Sequence, residues 1–200
     1  MSKRFCWLFL ISILIMVFGA GCDEEEGILA QFAGERIGLV IETDEYSEAS
    51  YYQSQLETAL INYIDRRYDL QVINPRLLLK RAPEWEGRLE DFCRKELGLN
   101  YLLIIDLLNV VVNEPKPSMD MWSKTFRFKV TTTCSLTLAY TFQNLNTDGI
   151  MYFGQSNGSS REESRVKASK RGVWFDINEV DYYDLIEEAM FNALRRTELL

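Results

Sequence analysis

Apolar and polar positions recur along this chain with two different periods, and the order in which those periods alternate predicts its elements. Arg36 to Glu42 (RIGLVIE) is a short β-rich run suited to a buried strand. Tyr52, Leu56, Ala59, Leu60, Tyr63 and Ile64 then recur at helical spacing. Asp69 to Ile73 is a second short strand, closed by Asn74-Pro75. After the apolar Leu77 to Leu79, Pro83 opens another helix that carries Leu89, Phe92, Cys93 and Leu97 on one face, with Gly98 past its carboxyl end. Tyr101 to Val112 (YLLIIDLLNVVV) is nearly all apolar, the mark of a central strand covered on both sides. This βαβαβ opening predicts short parallel strands joined by crossover helices.

The period then changes. A loop is expected over Glu114 to Met121, which holds Pro115 and Pro117. From Phe126 to Phe142 every second residue is apolar or Thr, while Arg127, Lys129 and a series of Thr and Ser fill the alternate positions. That is an antiparallel strand with one buried and one wet face. Asn146-Thr147-Asp148-Gly149 is a turn signal, and Ile150 to Ser156 should return as a short paired strand. Ser159 to Arg171 is polar and rich in Lys and Arg, so it is expected as a mobile loop. A closing helix from about Val180 would bury Tyr182, Leu185, Ile186, Ala189, Met190, Ala193 and Leu194, with Arg195 and Arg196 at its carboxyl end. The fold class expected is α/β (α+β): one domain, a mixed sheet with helices packed on it, in the order β-α-β-α-β-β-β-α.

The first twenty-two residues follow neither period. Lys3 and Arg4 form a basic head, Phe5 to Phe18 is an apolar run, and Gly19-Ala20-Gly21-Cys22 supplies small residues ending on a cysteine. The run is short for a bilayer-spanning helix, which needs about 20 apolar residues. The order basic, apolar, small is that of a secretory signal peptide. Ala20-Gly21-Cys22 resembles the lipobox of bacterial lipoproteins, which implies lipidation of Cys22 on sulfur, cleavage before it, and a palmitate-bearing anchor in the cell envelope. Residues 1–21 are then a lipoprotein signal peptide and 22–34 the lipidated cysteine with a tether opened by Asp23-Glu24-Glu25-Glu26, leaving 35–200 as the domain.

Composition narrows the chemistry. The 200 residues hold 22 Lys+Arg, 30 Asp+Glu and no histidine, a formal net charge of −8. Loss of Lys3 and Arg4 with the signal peptide takes the charge to −10. Without histidine there is no Ser-His-Asp or Cys-His engine and no imidazole metal ligand. An acidic surface argues against nucleic acid as a partner, because phosphate binding needs a cationic face. There is no phosphate-binding glycine loop, no nucleophile elbow and no CxxC pair, so no catalytic residue, metal ligand or cofactor site is expected. Acidic neighbours such as Glu162-Glu163 and Glu187-Glu188 point apart and read as solvated. Asp106 is the charge inside the apolar run, which a cation such as Arg127 or Lys129 on the next strand would balance. Cys93 and Cys134 each fall on an apolar face. They read as buried thiols, with a disulfide between them as the alternative that an oxidising envelope permits.

The order of elements, with the residues at their joints, resembles a family. Ile37 to Ile41 looks like its first strand. Leu97-Gly98-Leu99-Asn100-Tyr101-Leu102-Leu103 is similar to its helix-to-strand joint, and Leu136 to Phe153 to its pair of strands around a turn. The family joins the amino-terminal domain of TolB, the lipoprotein activators of penicillin-binding proteins and the curli secretion channel. It implies a non-enzymatic domain that binds protein partners in the envelope, a peptidoglycan synthase or an assembly system among them. An oligomeric, curli-like channel in the outer membrane is the alternative. The partner surface is expected at Met119, Met121 and Trp122, beside Pro115 and Pro117, and at Trp174 next to Phe175, since exposed Met and Trp make interface anchors.

Overall fold

The computed structural model describes residues 27–120, 126–169, 172–176 and 180–200. They form one mixed α/β domain around a six-stranded sheet ordered β2-β1-β3-β4-β5-β6. β1 (Arg36–Thr43) runs parallel to β2 (Gln71–Ile73) and to β3 (Tyr101–Asp120). β4 (Phe126–Asn144), β5 (Gly149–Ser169) and β6 (Gly172–Asp176) continue it antiparallel.

Four helices cover the sheet where the sequence period demands it. α1 (Glu48–Tyr68) returns β1 to β2, and Leu56, Leu60 and Ile64 recur on its core side. It ends on Asp69, whose φ of 50° breaks the helix in a left-handed cap. α2 (Pro75–Leu79) and α3 (Leu89–Lys95) carry the chain from β2 to β3. Asn74 caps α2 by accepting the Leu77 N–H, and Pro75 fits its first turn. α4 (Tyr182–Leu194) closes the chain with Leu185, Ile186, Ala189, Met190, Ala193 and Leu194 buried, as expected.

β3 has α1 and α4 on one face and α3 on the other, so its residues alternate between two cores. Leu103, Ile105 and Leu107 join the main cluster, whereas Leu102 packs with Cys93, Leu99 and Leu145. Cys134 belongs to the main cluster and Cys93 to the smaller one. The two thiols therefore lie on opposite faces of the sheet, both are free, and the disulfide alternative is corrected.

α4 sits close on β5 because β5 offers it small residues. A Cβ at Gly158 would overlap the Ala189 carbonyl, and the Ser156 and Ser160 hydroxyls donate to Ala193 O and Leu185 O at 2.6 and 2.5 Å.

Three expectations are corrected. The tether was placed over 22–34, yet Ile28–Phe32 is a buried 3-10 turn. Ile28 and Leu29 donate to the carbonyls of Glu198 and Leu199, and the Phe32 ring packs on Tyr101, Phe142 and Tyr152. The proline-bearing loop from Glu114 is strand as far as Asp120. β1 stops pairing at Leu107, so β3 is an edge strand beyond it, and a register shift between Asn113 and Lys116 takes up Pro115. The basic loop from Ser159 is also strand up to Ser169. β5 follows β4 to Ala168 opposite Phe126, and Gly172–Asp176 adds β6, an element the sequence reading lacked.

Candidate functional site

These corrections place two of the expected partner-binding residues, Met119 and Trp174, on a common structure. Thr132 and Ser160 are buried, and the Ser160 hydroxyl donates to Leu185 of α4. Past them β3, β4 and β5 continue for roughly six residues, about 20 Å at about 3.3 Å per residue. The register there runs across four strands. Met119 pairs with Phe128, Phe128 with Val166, and Val166 with Phe175. The next row joins Asp120, Arg127, Lys167 and Trp174. Neighbouring rows alternate faces. One row of this distal end thus pairs apolar residues across four strands, and the next pairs charged ones with Trp174 on the edge strand.

Met119 and Trp174 are therefore brought to one end of the sheet, in adjacent rows. Met121 and Trp122 lie outside the described residues, in the 121–125 segment that joins β3 to β4, as does Cys22 at the other extreme of the chain.

Asp106 does not meet the cation expected for it. The register sets it beside Glu42 of β1 and Ala139 of β4, whereas Arg127 stands opposite Asp120. Burial, then the Glu42 carboxylate, pushes the Asp106 carboxyl above its ordinary range. Glu42 is itself held by Arg76 at 2.5 Å.

The sequence reading also missed an apolar strip on the face of the sheet away from α1 and α4. Phe153 is 79 % exposed and Ile150 62 % exposed, both on β5. Their signal was present: a strand alternating inward Tyr152 with outward large apolar residues instead of polar ones.

The chain's two ends meet at a corner far from the distal rows. Gly27 lies against Leu200, and Tyr152 Oη reaches Gln31 Oε1 at 3.3 Å. A groove of about 610 Å³ opens there, its lining including Gln31, Tyr152, Arg195 and Glu198. Among the described residues no group of three or more Cys, Asp or Glu side chains is placed to hold a metal ion, and no helix is long and apolar enough to cross a membrane.

No family model matches this sequence, and no curated protein matches it. Solved structures do resemble it. One is a Helicobacter pylori protein named for homology to a neuraminyllactose-binding hemagglutinin, at 19 % identity and a TM-score of 0.43 over 80 % of this chain and 78 % of that one. Another is lipoprotein GNA1162 from Neisseria meningitidis, at 13 % identity and 0.39 over 82 % and 99 %. The LpoB C-terminal domain from Salmonella enterica matches at 12 % identity and 0.36 over 62 % and 82 %. At such scores these likenesses assign no activity, partner or site.

Proposed function

We propose that the chain is a lipoprotein of the cell envelope, held to a membrane by lipid on Cys22, whose periplasm-facing domain binds a protein partner and performs no catalysis. The partner class is an envelope enzyme or assembly, such as a peptidoglycan synthase. The observation that carries this reading is the separation of the two ends of β5. The corner where residue 27 enters the domain lies beside Tyr152, and the distal rows begin near Arg165. That stretch of strand spans about 40 Å at about 3.3 Å per residue. Residues 22–26 reach about 17 Å at most. A lipid on Cys22 would hold the Gly27 corner near the headgroups and present the end of the sheet that carries Met119 and Trp174 on the far side.

Two measurements test it. Cys22→Ala should release the protein from the membrane fraction and abolish palmitate incorporation. A photo-crosslinker at position 122 should trap one envelope protein, and the trapping should fall at least tenfold in Trp174→Ala. A membrane-bound Cys22→Ala variant removes the anchor, and a position-122 adduct found with many unrelated proteins removes the distal interface.

A second reading, a subunit of an oligomeric channel, is favoured by one observation. β5 spans 21 residues and pairs along the whole of β4, where a short return strand was expected. A membrane-spanning β-strand needs about 9–11 residues. A stable monomer in detergent-free buffer excludes this reading.

A further inference from the structure

The strip of sheet beside α3 is open, and its composition is not that of a solvent face. α3 covers Leu102 in a small cluster that Ile104 borders, and its Arg94 reaches the β4–β5 turn at Leu145 and Asp148, but among the described residues no buried cluster forms over the rest of β4 and β5 on that side. The rows there are Ile104, Thr141 and Phe153, then Asp106, Ala139 and Gln155, then Leu108, Thr137 and Asn157. Phe153, Ile150 and Leu108 are 79 %, 62 % and 43 % exposed, around a floor of Ala139 and threonines. Three strands at about 4.8 Å spacing make a strip about 10 Å wide, the diameter of one helix. α3 already shows how a helix seats on this face.

We infer that the open strip docks an amphipathic helix of a partner protein, with an apolar stripe against Phe153, Ile150 and Leu108 and a Lys or Arg directed at Asp106. The charge follows from what surrounds that carboxylate. Among the described residues Asp106 makes no ion pair within 4 Å, and Glu42, the charged group that bears on it, already holds Arg76. A cation from outside would therefore find an unmatched charge in a half-buried place. A second copy of this chain fits less well, because the rows just named carry no Lys or Arg to set against Asp106. This surface is distinct from the distal rows, and the inference needs neither the lipid on Cys22 nor the interface proposed there.

The test is selection from a phage library of surface-randomised helices on a small helical scaffold, against the full chain in mild detergent. Enriched helices should carry apolar residues at i, i+3, i+4 and i+7 flanked by Lys or Arg. Their affinity should drop at least tenfold on Phe153→Ser and about threefold to tenfold on Asp106→Asn. Both sites are at least partly exposed, so the variants should keep the parent's melting temperature within a few degrees. Binders no more basic than the starting library overturn the inference, as do binders indifferent to Phe153→Ser. A concentration-dependent dimer in sedimentation, lost in Phe153→Ser, assigns the strip to a second copy instead.

Discussion

The Glu57 carboxylate, 1 % exposed on the core side of α1, accepts the backbone N–H of Ile41 at 3.1 Å. It does for β1 what a longer β2 would have done. β2 pairs no further than Gly38, which leaves the edge of β1 beyond it without a strand. Glu57 takes the Ile41 N–H, and Gln53, one turn earlier, donates to the Ile41 carbonyl. Asn74 Nδ2 donates to the second Glu57 oxygen at 2.6 Å. Removing the carboxylate strands a buried N–H and an amide together. Glu57→Ala should cost about 3 kcal/mol in chemical unfolding. Glu90→Ala, which breaks a pair with the exposed Arg88, should cost far less. Equal costs would show that Glu57 does not complete the β1 edge.

Gly158 sets how closely α4 approaches β5. A methyl there meets the backbone carbonyl of Ala189 and, at 2.9 Å, the Ala193 Cβ, neither of which can swing aside. Gly154 is also crowded, but by the ring of buried Tyr140, a side chain and not the backbone. Gly158→Ala should therefore cost about 3 kcal/mol or more and Gly154→Ala clearly less, read as paired melting curves. A Gly158→Ala protein as stable as its parent would mean that α4 sits further from the sheet.

Much of this architecture is legible in the sequence, and what is not has a physical reason. The alternation from Phe126 to Phe142 predicts β4 because one of its faces is buried, and burial is what makes a strand periodic. Ser159 to Ser164 holds no apolar residue to mark such a face. It is a strand because β4 offers it backbone partners, and backbone pairing leaves no mark on side-chain pattern. Pro115 and Pro117 read as a loop because their missing N–H groups forbid a central strand. Whether β3 is central or edge at that height depends on where β1 stops, some seventy residues earlier in the chain. The Met and Trp of the proposed partner surface stand out in the sequence at Met119 and Trp174, but not the strands that bring the two together. The neighbour of Asp106 was likewise hidden, since the parallel register with β1 places Glu42 there.

The two core thiols should be silent in the folded state. Burial pushes Cys93 up to about 12 and Cys134 up to about 11, from an ordinary 9.0. At pH 8 neither forms thiolate, so iodoacetamide should label both only after denaturation. The same shifts fix the sign of the alkaline limb. The folded protein holds these protons more tightly than the unfolded chain does, so stability is fully present below pH 9 and declines as pH rises toward 11–12. Tyr183, also raised to about 12, adds to that decline. Rapid labelling of Cys93 in the folded protein would place the α3 cluster in solvent.

Asp106 gives a test of the same sign at acid and neutral pH. Its carboxyl is raised by burial and by Glu42, so the folded state binds its proton more tightly than the unfolded chain. Stability from this group is then complete below the ordinary carboxylate pKa of 3.8 and is lost as pH climbs through the raised value. At pH 7 the ionised side chain weighs against the fold. Asp106→Asn should therefore melt higher than the parent at pH 7, and the difference should vanish below about pH 4. Saturation with a basic helix selected on the strip should reverse that order at pH 7, because the bound cation stabilises the ionised form and the amide gains nothing from it. An Asn variant that is less stable at pH 7 in the free protein would mean that Asp106 already has a partner in the fold.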